Sequence, residues 1–344
     1  MEIYAQKTRD ELISIFKERK IKGYSKMKKE DLIQRLSVEP ESKPVTVSSV
    51  DPDTIRFIDL FCGIGSFHYS FKKLGWECVM SCDIDKAAKE TYLTNYGVKP
   101  LGDITEIEPK QIAPYDIICA GFPCQPFSQC GQHKGFEDQR GTLFFHIMKF
   151  VHYHKPKIIV LENVQGLLNH DGGKTFKRIQ TDIVAAGYQV TYKVLTCSDY
   201  GLPQMRKRLI LLGVRTDTDL VKHIDRLLDL EEYKQEKTLP QLLGKPFEKK
   251  VAYTIRCGGR HSPIHDKHNW DGYIVDGKEY RLTKEDCLKL QGFEDFKLCG
   301  THSEQWKQLG NTIPTRFTEI IGLNLKKYLT RSCPCSPLAS GPEM

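Results

Sequence analysis

A cysteine between two prolines is the residue of this sequence best suited to covalent chemistry. Cys124 lies in the stretch GFPCQPFS (121–128), after the apolar run at 115–120. A buried strand that ends in a rigid Pro-x-x-Pro loop holds a thiol at a fixed point on the rim of a sheet, which a core cysteine does not require. We therefore predict that the Cys124 thiolate is a nucleophile.

Two glycines and two aspartates have the spacing of a nucleoside-binding site. Gly63 and Gly65 lie between a predicted strand and a predicted helix, where the backbone must approach a ligand closely. Asp83 and Asp103 follow later apolar runs, so they can bind ribose hydroxyls and an adenine amine, or they can cap helices. The sequence contains no GxxxxGK[ST] motif, which favours a nucleoside cofactor without phosphates.

The composition narrows the class of protein. A chain of 344 residues with a formal net charge of +7 allows one large domain or two unequal ones and favours a polyanionic partner. We expect an intracellular protein, in the nucleus or in the cytoplasm (nucleoid) depending on the host, because no apolar run has the length of a membrane span or the form of a signal peptide. The twelve cysteines are then thiols, and their spacing predicts no metal site.

Strand and helix patterns alternate from residue 55 onward and supply the scaffold for these residues. Apolar runs lie at 55–61, 78–85, 115–122, 157–164, 188–195 and 208–214, and amphipathic stretches at 66–74, 87–96, 143–154 and 175–186. This alternation predicts a doubly wound α/β sheet. A further helix is expected at 218–233.

The first 37 residues form a separate unit. Their helical spacing predicts two short helices around the turn IKGYS (21–25), and the segment resembles the SAP-type helix-extended-helix module. The resemblance implies DNA backbone contacts by Lys26, Lys28 and Lys29, and the alternative is a solvated helical hairpin. Residues 38–54 are typical of a linker, and residues 331–344 of a disordered tail.

From about residue 55 to 329 the chain resembles the DNA cytosine-5 methyltransferase family. The motifs that carry the resemblance are, in family order, DLFCGIGSF (59–67), GFPCQPFS (121–128), ENV (162–164), QMRKR (204–208), RLTKEDCLKLQGF (281–293) and QLGNT (308–312). The resemblance implies a Rossmann-like catalytic domain at 55–216 and 281–330, with a small target-recognition region at 217–280. It implies a monomeric enzyme that methylates carbon 5 of cytosine in double-stranded DNA.

The same resemblance assigns a cofactor and the residues that hold it. The implied S-adenosylmethionine contacts are Phe61, Gly63, Gly65, Asp83, Ile84, Asp103, Ile104, Pro123, Leu143, Asn311 and Thr312. Ser66 and Asp83 depart from the family, which often has glycine at the first position and usually has glutamate at the second.

The chemistry requires a nucleophile, an acid and a cation. Carbon 5 of cytosine is too electron-poor to attack a sulfonium methyl directly, so Cys124 must first add at carbon 6 to form an enamine. Glu162 is the predicted acid at ring nitrogen 3, and we expect its environment to raise its pKa. Arg206 and Arg208 are expected to point the same way from a strand start and to hold the base oxygen or a phosphate.

Contacts with DNA complete the interpretation. The cytosine must be flipped out of the duplex, and the polar segment 125–142 is a predicted lid in which Gln125, Ser128 and Arg140 contact the base or the backbone. The base or phosphate contacts available near 245–280 are Arg256, Arg260, His261, His265 and His268, with Asn269 and Trp270 beside them, and Gln204 is a further predicted DNA contact. So few reading groups predict a short or relaxed target of roughly two to four base pairs.

Two other functions remain open at this stage. One branch of the same family methylates transfer RNA, although a clear CFT tripeptide after the arginine motif, which that branch would carry, is absent from the sequence. A catalytically silent DNA-binding protein is the second alternative. A role in restriction-modification, in a virus or in regulation fits the sequence equally.

Overall fold

The computed structural model of the protein describes residues 7–18, 24, 27–37, 54–123 and 143–329. The chain divides into two compact units, Met1–Asp53 and Thr54–Met344. The predicted linker up to residue 53 and the predicted tail lie outside the described residues, and so do Cys124, Gln125, Ser128, Arg140 and Lys26.

The N-terminal unit is a small helical hairpin. Helices α1 (Arg9–Glu18) and α2 (Lys29–Ser37) pack around Leu12, Phe16 and Leu32, all fully buried. The rings of Phe16 and Tyr24 lie 5.5 Å apart, so Tyr24 also packs against this core. The two predicted helices are confirmed, while DNA binding by the exposed Lys28 and the half-buried Lys29 stays a prediction.

The larger unit is built on a six-stranded sheet in the order β2-β1-β3-β4-β6-β5. Its strands are β1 (Arg56–Leu60), β2 (Glu77–Cys82), β3 (Ile117–Gly121), β4 (Ile158–Val164), β5 (Tyr188–Thr196) and β6 (Lys207–Arg215). The first four strands in this order pair in parallel, and β6 runs antiparallel to both β4 and β5. The predicted α/β sheet is confirmed, with one strand reversed.

Helices cover both faces of this sheet. The helices of this unit are α3 (Ser66–Lys73), α4 (Lys86–Tyr96), α5 (Leu143–His154), α6 (Lys174–Ala185), α7 (Leu239–Leu243), α8 (Lys284–Leu290), α9 (His302–Asn311) and α10 (Thr315–Leu329), of which α7, α8 and α9 pack in a separate core and not on the sheet. Successive strand residues point to opposite faces, so Ile117 packs with Phe71 and Phe317 on one side, whereas Ile118 packs with Phe144 on the other. Because both faces are buried, the strands have continuous apolar sequences instead of alternating ones.

The helix expected at 218–233 is wrong. The segment instead forms 3₁₀ turns at Asp219–Arg226 and Glu231–Tyr233. Leu220 and Ile224 are buried in the sheet core, as an amphipathic α-helix would bury them. The spacing of these apolar residues therefore cannot separate the two conformations.

The predicted recognition region, residues 217–280, shares a separate apolar core with the two helices that follow it. Strands β7 (Gly272–Val275) and β8 (Lys278–Arg281) form a hairpin whose two-residue turn, Asp276 and Gly277, has positive φ at both positions (51° and 70°). The hairpin packs with α7, α8 and α9 around apolar side chains that include Trp270 and Trp306. Within the described part of the chain, no helix has the length and apolar character needed to cross a membrane.

Candidate active site

A cavity of about 490 Å³ opens at the carboxyl ends of the parallel strands. Residues that directly follow β1, β2 and β3 line it together with the end of α9 and the residues after it. This is the edge of an α/β sheet at which ligands bind, because backbone groups and loop side chains converge there. The cavity is lined by Phe61, Gly63, Asp83, Ile84, Asp103, Ile104, Pro123, Leu143, Asn311 and Thr312, which are all the predicted cofactor contacts except Gly65.

Gly65 supports the cavity from behind. Its φ is 87°, and a Cβ there would lie 2.5 Å from the ring of Tyr96 and 2.7 Å from that of Tyr92. The Tyr96 hydroxyl donates to the carbonyls of Ile64 (3.2 Å) and Gly65 (2.8 Å), which fixes the loop against the rings. At Gly63, by contrast, a Cβ would meet nothing within 4 Å, so this glycine leaves space in the cavity.

The two aspartates hold backbone and also line the cavity. Asp83 accepts from the backbone N–H of Gly63 through Oδ2 and of Asp85 through Oδ1, each at 2.8 Å, and burial raises its pKa. Asp103 accepts from Thr105 N at 2.9 Å and so caps a 3₁₀ turn, Ile104–Glu106. Asp103 therefore has the capping role that the sequence left open as an alternative to ligand binding. Its side chain lines the cavity at the same time.

An ion pair between Glu162 and Arg208 lies in the wall of the same cavity. Glu162 is opposite Gly121 in the β3–β4 register, and its Oε1 lies 2.7 Å from Arg208 Nε. Burial raises the pKa of Glu162 although Arg208 and Arg206 both act to lower it. The expected direction of this pKa shift is confirmed, and a buried carboxyl with a raised pKa can carry a proton to a substrate.

The backbone that leads to Cys124 is held by Asn163. Its Nδ2 donates to the carbonyl of Phe122 at 2.8 Å, and Phe122 and Pro123 line the cavity. Cys124 itself is the next residue along the chain. Sequence reasoning quoted Asn163 within the ENV motif but gave it no role.

Other polar residues of the cavity wall were also missed. Asp59 lines the cavity, is 1% exposed, and its Oδ2 has no hydrogen-bond partner among the described residues. The sequence could have identified Asp59, because it is a single carboxylate within an apolar run. Lys307 and Asp85 form a 2.7 Å ion pair between α9 and the segment after β2, and both line the cavity. Ser66, where the family often has glycine, donates its hydroxyl to the Ile313 carbonyl at 2.6 Å, a hydrogen bond that glycine could not make.

Arg206 does not share the orientation expected of it. Its guanidinium is buried and donates to three backbone carbonyls, from Nη1 to Ile255 (2.9 Å) and from Nη2 to Gly310 (3.0 Å) and Thr312 (2.8 Å). Burial lowers the pKa of Arg206 to about 9. Because these carbonyls accept from both of its Nη atoms, Arg206 holds the segments around the cavity, while Arg208 lines the cavity.

The expectation that Gln204 contacts DNA is wrong. Gln204 is fully buried, and its amide donates to the carbonyl of Leu290 (3.0 Å) and accepts from Ile255 N (3.2 Å). Asn269 and Trp270 are likewise buried, and they hydrogen-bond to backbone of the recognition region instead of projecting outward. These polar side chains supply the internal hydrogen bonds that a small, irregular region needs.

The remaining predicted contacts fall into two groups. Arg260 stacks on Trp306 at 3.7 Å with only 18% of its side chain exposed, so its guanidinium is largely engaged. Arg256, His261, His265 and His268 are exposed. No cluster of three or more His, Cys, Asp or Glu side chains in the described ranges could hold a metal ion.

Comparisons with known proteins agree with this geometry. A family model described as C-5 cytosine-specific DNA methylase matches residues 55–276. The chain is 34% identical over 311 residues to type II methyltransferase M.HhaI of Haemophilus parahaemolyticus, covering 80% of this chain and 95% of that protein. It is 39% identical over 338 residues to type II methyltransferase M.HpaII of Haemophilus parainfluenzae, covering 85% and 93%.

A solved structure shares the fold. The Dnmt2 methyltransferase of S. pombe aligns with a TM-score of 0.58 at 20% identity, covering 79% of this chain and 99% of that one. At this level of identity the match concerns architecture alone.

Proposed function

The chain belongs to the C-5 cytosine-specific DNA methylase family and transfers a methyl group from S-adenosylmethionine to carbon 5 of cytosine in DNA, and we propose that Cys124 carries the reaction through a covalent adduct with a flipped-out base. One observation supports this assignment above the others. The Glu162–Arg208 pair lines the same cavity as the predicted cofactor contacts, and so does Pro123, the residue that precedes Cys124 in the sequence.

The residues of the cavity fit the cofactor. Asp83 is proposed to hold the ribose hydroxyls and Asp103 the adenine amine, while Ile84, 74% exposed at the cavity, offers an apolar face to the ring. Gly63 leaves room for close approach of the backbone. When bound, S-adenosylmethionine supplies the methyl group on a positively charged sulfur.

The groups of the chain act on the cytosine in order. The Cys124 thiolate forms a bond to carbon 6, and the displaced ring electrons are stabilised as Glu162 gives a proton or hydrogen bond to nitrogen 3. Carbon 5, now an enamine carbon, forms a bond to the methyl group as the bond between that methyl group and the sulfonium sulfur breaks. The carbon 5 proton then leaves to a base, and its bonding electrons expel the Cys124 thiolate from carbon 6. The proton on nitrogen 3 returns to Glu162.

The two arginines have different proposed roles. Arg208 keeps the Glu162 carboxyl in place and presents its remaining donors to the base oxygen. Arg206 is a positioning residue, because it holds the backbone of Gly310 and Thr312 beside the cofactor contacts. Asn163 positions the segment that precedes Cys124 in the same way.

The parts of the chain outside the cavity are proposed to serve DNA binding. Lys26, Lys28 and Lys29 of the N-terminal unit contact backbone phosphates and supply affinity without sequence choice. The region 217–280 reads a target of roughly two to four base pairs, since it is short and Asn269 beside its predicted contacts is buried. The enzyme acts as an intracellular monomer, because one chain supplies all of these parts.

Methyl transfer from tritiated S-adenosylmethionine tests the proposal directly. We expect label in duplex DNA and not in transfer RNA, and no transfer from Cys124→Ala, with the affinity for S-adenosylhomocysteine unchanged within about twofold. Cys299→Ala is the matched control, because that thiol lies outside the cavity. Preferential label in transfer RNA would favour the RNA branch of the family, and no label in either would favour a silent DNA-binding protein.

The target length has its own test. Bisulfite sequencing of DNA from cells that express the protein should show modified cytosines in a short or degenerate context. Modification confined to one long fixed sequence would contradict a small reading region.

A further inference from the structure

Arg256 differs from the other arginines near the recognition region. Arg206 is buried, Arg260 stacks on Trp306, and Arg281 donates to Asp271 at 3.1 Å. Arg256 is exposed, and its side chain makes no hydrogen bond or ion pair with any residue that the structure describes. Its guanidinium is therefore available to a partner outside the chain.

The backbone on both sides of Arg256 is nevertheless fixed. The preceding residue, Ile255, donates its N–H to Gln204 Oε1 (3.2 Å) and accepts at its carbonyl from Arg206 Nη1 (2.9 Å). The following residue, Cys257, packs so closely on α9 that a Cβ at Gly310 would lie 2.3 Å from its backbone nitrogen. Buried side chains and a glycine contact thus hold an exposed arginine in one place.

The position of this arginine relative to the cavity is also defined. The Cys257 thiol donates to Asn311 Oδ1 at 2.8 Å, and Asn311 lines the cavity. The residue that follows Arg256 is therefore bonded to the wall of the cavity, which places Arg256 close to the cavity.

A side chain that reads a base needs a more rigid backbone than a side chain that contacts a phosphate. A lysine or arginine can reach phosphate from a mobile chain, because the backbone charge repeats along the duplex. To read guanine, the planar guanidinium must align with O6 and N7 in the major groove. The backbone that carries the side chain must therefore be rigid. Arg256 combines a rigid backbone with a free head group and is followed by a residue bonded to the cavity wall, whereas the exposed Arg226 belongs to a 3₁₀ turn that packs on the sheet core.

We propose that Arg256 reads a guanine that neighbours the flipped cytosine. This inference rests on the proposed function, because it needs a bound DNA duplex with the cytosine in the cavity. Arg256 is then a specificity-determining residue. Gln204 and Arg206 are positioning residues, because they hold the backbone of Ile255 next to it.

The test is methylation of a duplex library with random bases on both sides of one cytosine, read by bisulfite sequencing. With the wild-type enzyme we expect methylation to require guanine at one fixed flanking position. Arg256→Ala should lower discrimination at that position by about 10- to 100-fold and leave preferences elsewhere unchanged. Arg256→Lys should keep the overall rate closer to wild type but lose the same preference, since ammonium cannot pair bidentately.

Lys267→Ala is the matched control, an exposed cation from the same region. It should reduce methylation of all sequences alike. The proposal is overturned if Arg256→Ala behaves like this control, or if the wild-type enzyme methylates the library without a guanine requirement beside the cytosine. Absence of methylation by the wild-type enzyme would instead overturn the proposed function.

Discussion

Two sides of the cavity are held in different ways: the side proposed to hold the cofactor, here called the cofactor side, and the side proposed to face DNA, here called the DNA side. On the cofactor side, contacts such as Phe61, Asp83 and Pro123 follow directly after strands, so the buried sheet fixes their backbone. On the DNA side, the supports are polar side chains: Gln204 and Arg206 hold neighbouring segments by hydrogen bonds to backbone. The sheet positions the residues of the cofactor side, whereas a buried amide and a buried guanidinium position the segments of the DNA side.

This difference follows from the size of the two cores. The sheet buries two large apolar clusters, one on each face. The recognition region has a smaller core and long irregular stretches, so many backbone groups lack a strand or helix partner. Buried polar side chains satisfy those groups, at the cost of removing the same side chains from the DNA surface.

The largest effect should come from the acid in the cavity wall. Glu162→Gln keeps the shape of the side chain but cannot release a proton, so we expect kcat to fall by about 10²- to 10⁴-fold. The pKa of Glu162 is raised by burial, and the protonated form is the donor. Wild-type activity should therefore decline as pH rises through that pKa.

The pH profile separates chemistry from packing. In Glu162→Gln the alkaline decline should disappear, while the acidic limb that reflects formation of the Cys124 thiolate should remain. Steady-state rates between pH 5 and 10 measure both limbs. An alkaline limb that persists unchanged in the variant would assign it to another group.

The two arginines offer the sharpest contrast between support and chemistry. Arg206→Met leaves three buried carbonyls without donors, and we expect the free energy of unfolding to fall by about 3 kcal/mol or more. Arg208→Met should leave most of that stability and lose methyl transfer, because Arg208 lines the cavity. Urea unfolding and a transfer assay on both variants make the comparison. Similar loss of stability in both would remove the distinction.

The sequence predicts almost residue by residue which side chains line the cavity after the strands, because a residue that follows a buried strand has its position set by that strand. Asp83 and Asp103 are examples. It does not predict that Gln204 and Arg206 turn inward while Arg256 stays exposed, since the same polar residue types serve both purposes. The 3₁₀ turns at 219–226 were missed for a related reason, as their apolar spacing imitates a helix.

Alanine substitutions at Gly65 and Gly63 test separately whether each glycine on the cofactor side is needed for stability or for ligand binding. Gly65→Ala would press a methyl group onto Tyr96 and Tyr92 at a φ of 87°, so we expect a loss of about 2–3 kcal/mol in stability. Gly63→Ala meets open space and should cost about 1 kcal/mol in stability, but its methyl enters the volume reserved for the cofactor. Thermal unfolding and calorimetry with S-adenosylhomocysteine should thus separate the two variants. Equal affinity for the ligand in Gly63→Ala and wild type would contradict the placement of the cofactor.

The smallest effect should come from an apolar side chain that the fold does not need. Ile84 is 74% exposed at the cavity, so Ile84→Ala should leave the unfolding free energy within about 0.5 kcal/mol of wild type. If Ile84 covers the adenine ring, the lost apolar contact should weaken S-adenosylhomocysteine binding by about 1 kcal/mol, or roughly fivefold. Leu93→Ala is the matched control, because Leu93 is also an exposed apolar residue but lies outside the cavity lining. Equal affinities in the two variants would mean that exposure of Ile84 has no link to the cofactor, and the cofactor side would then depend on backbone and carboxylates alone.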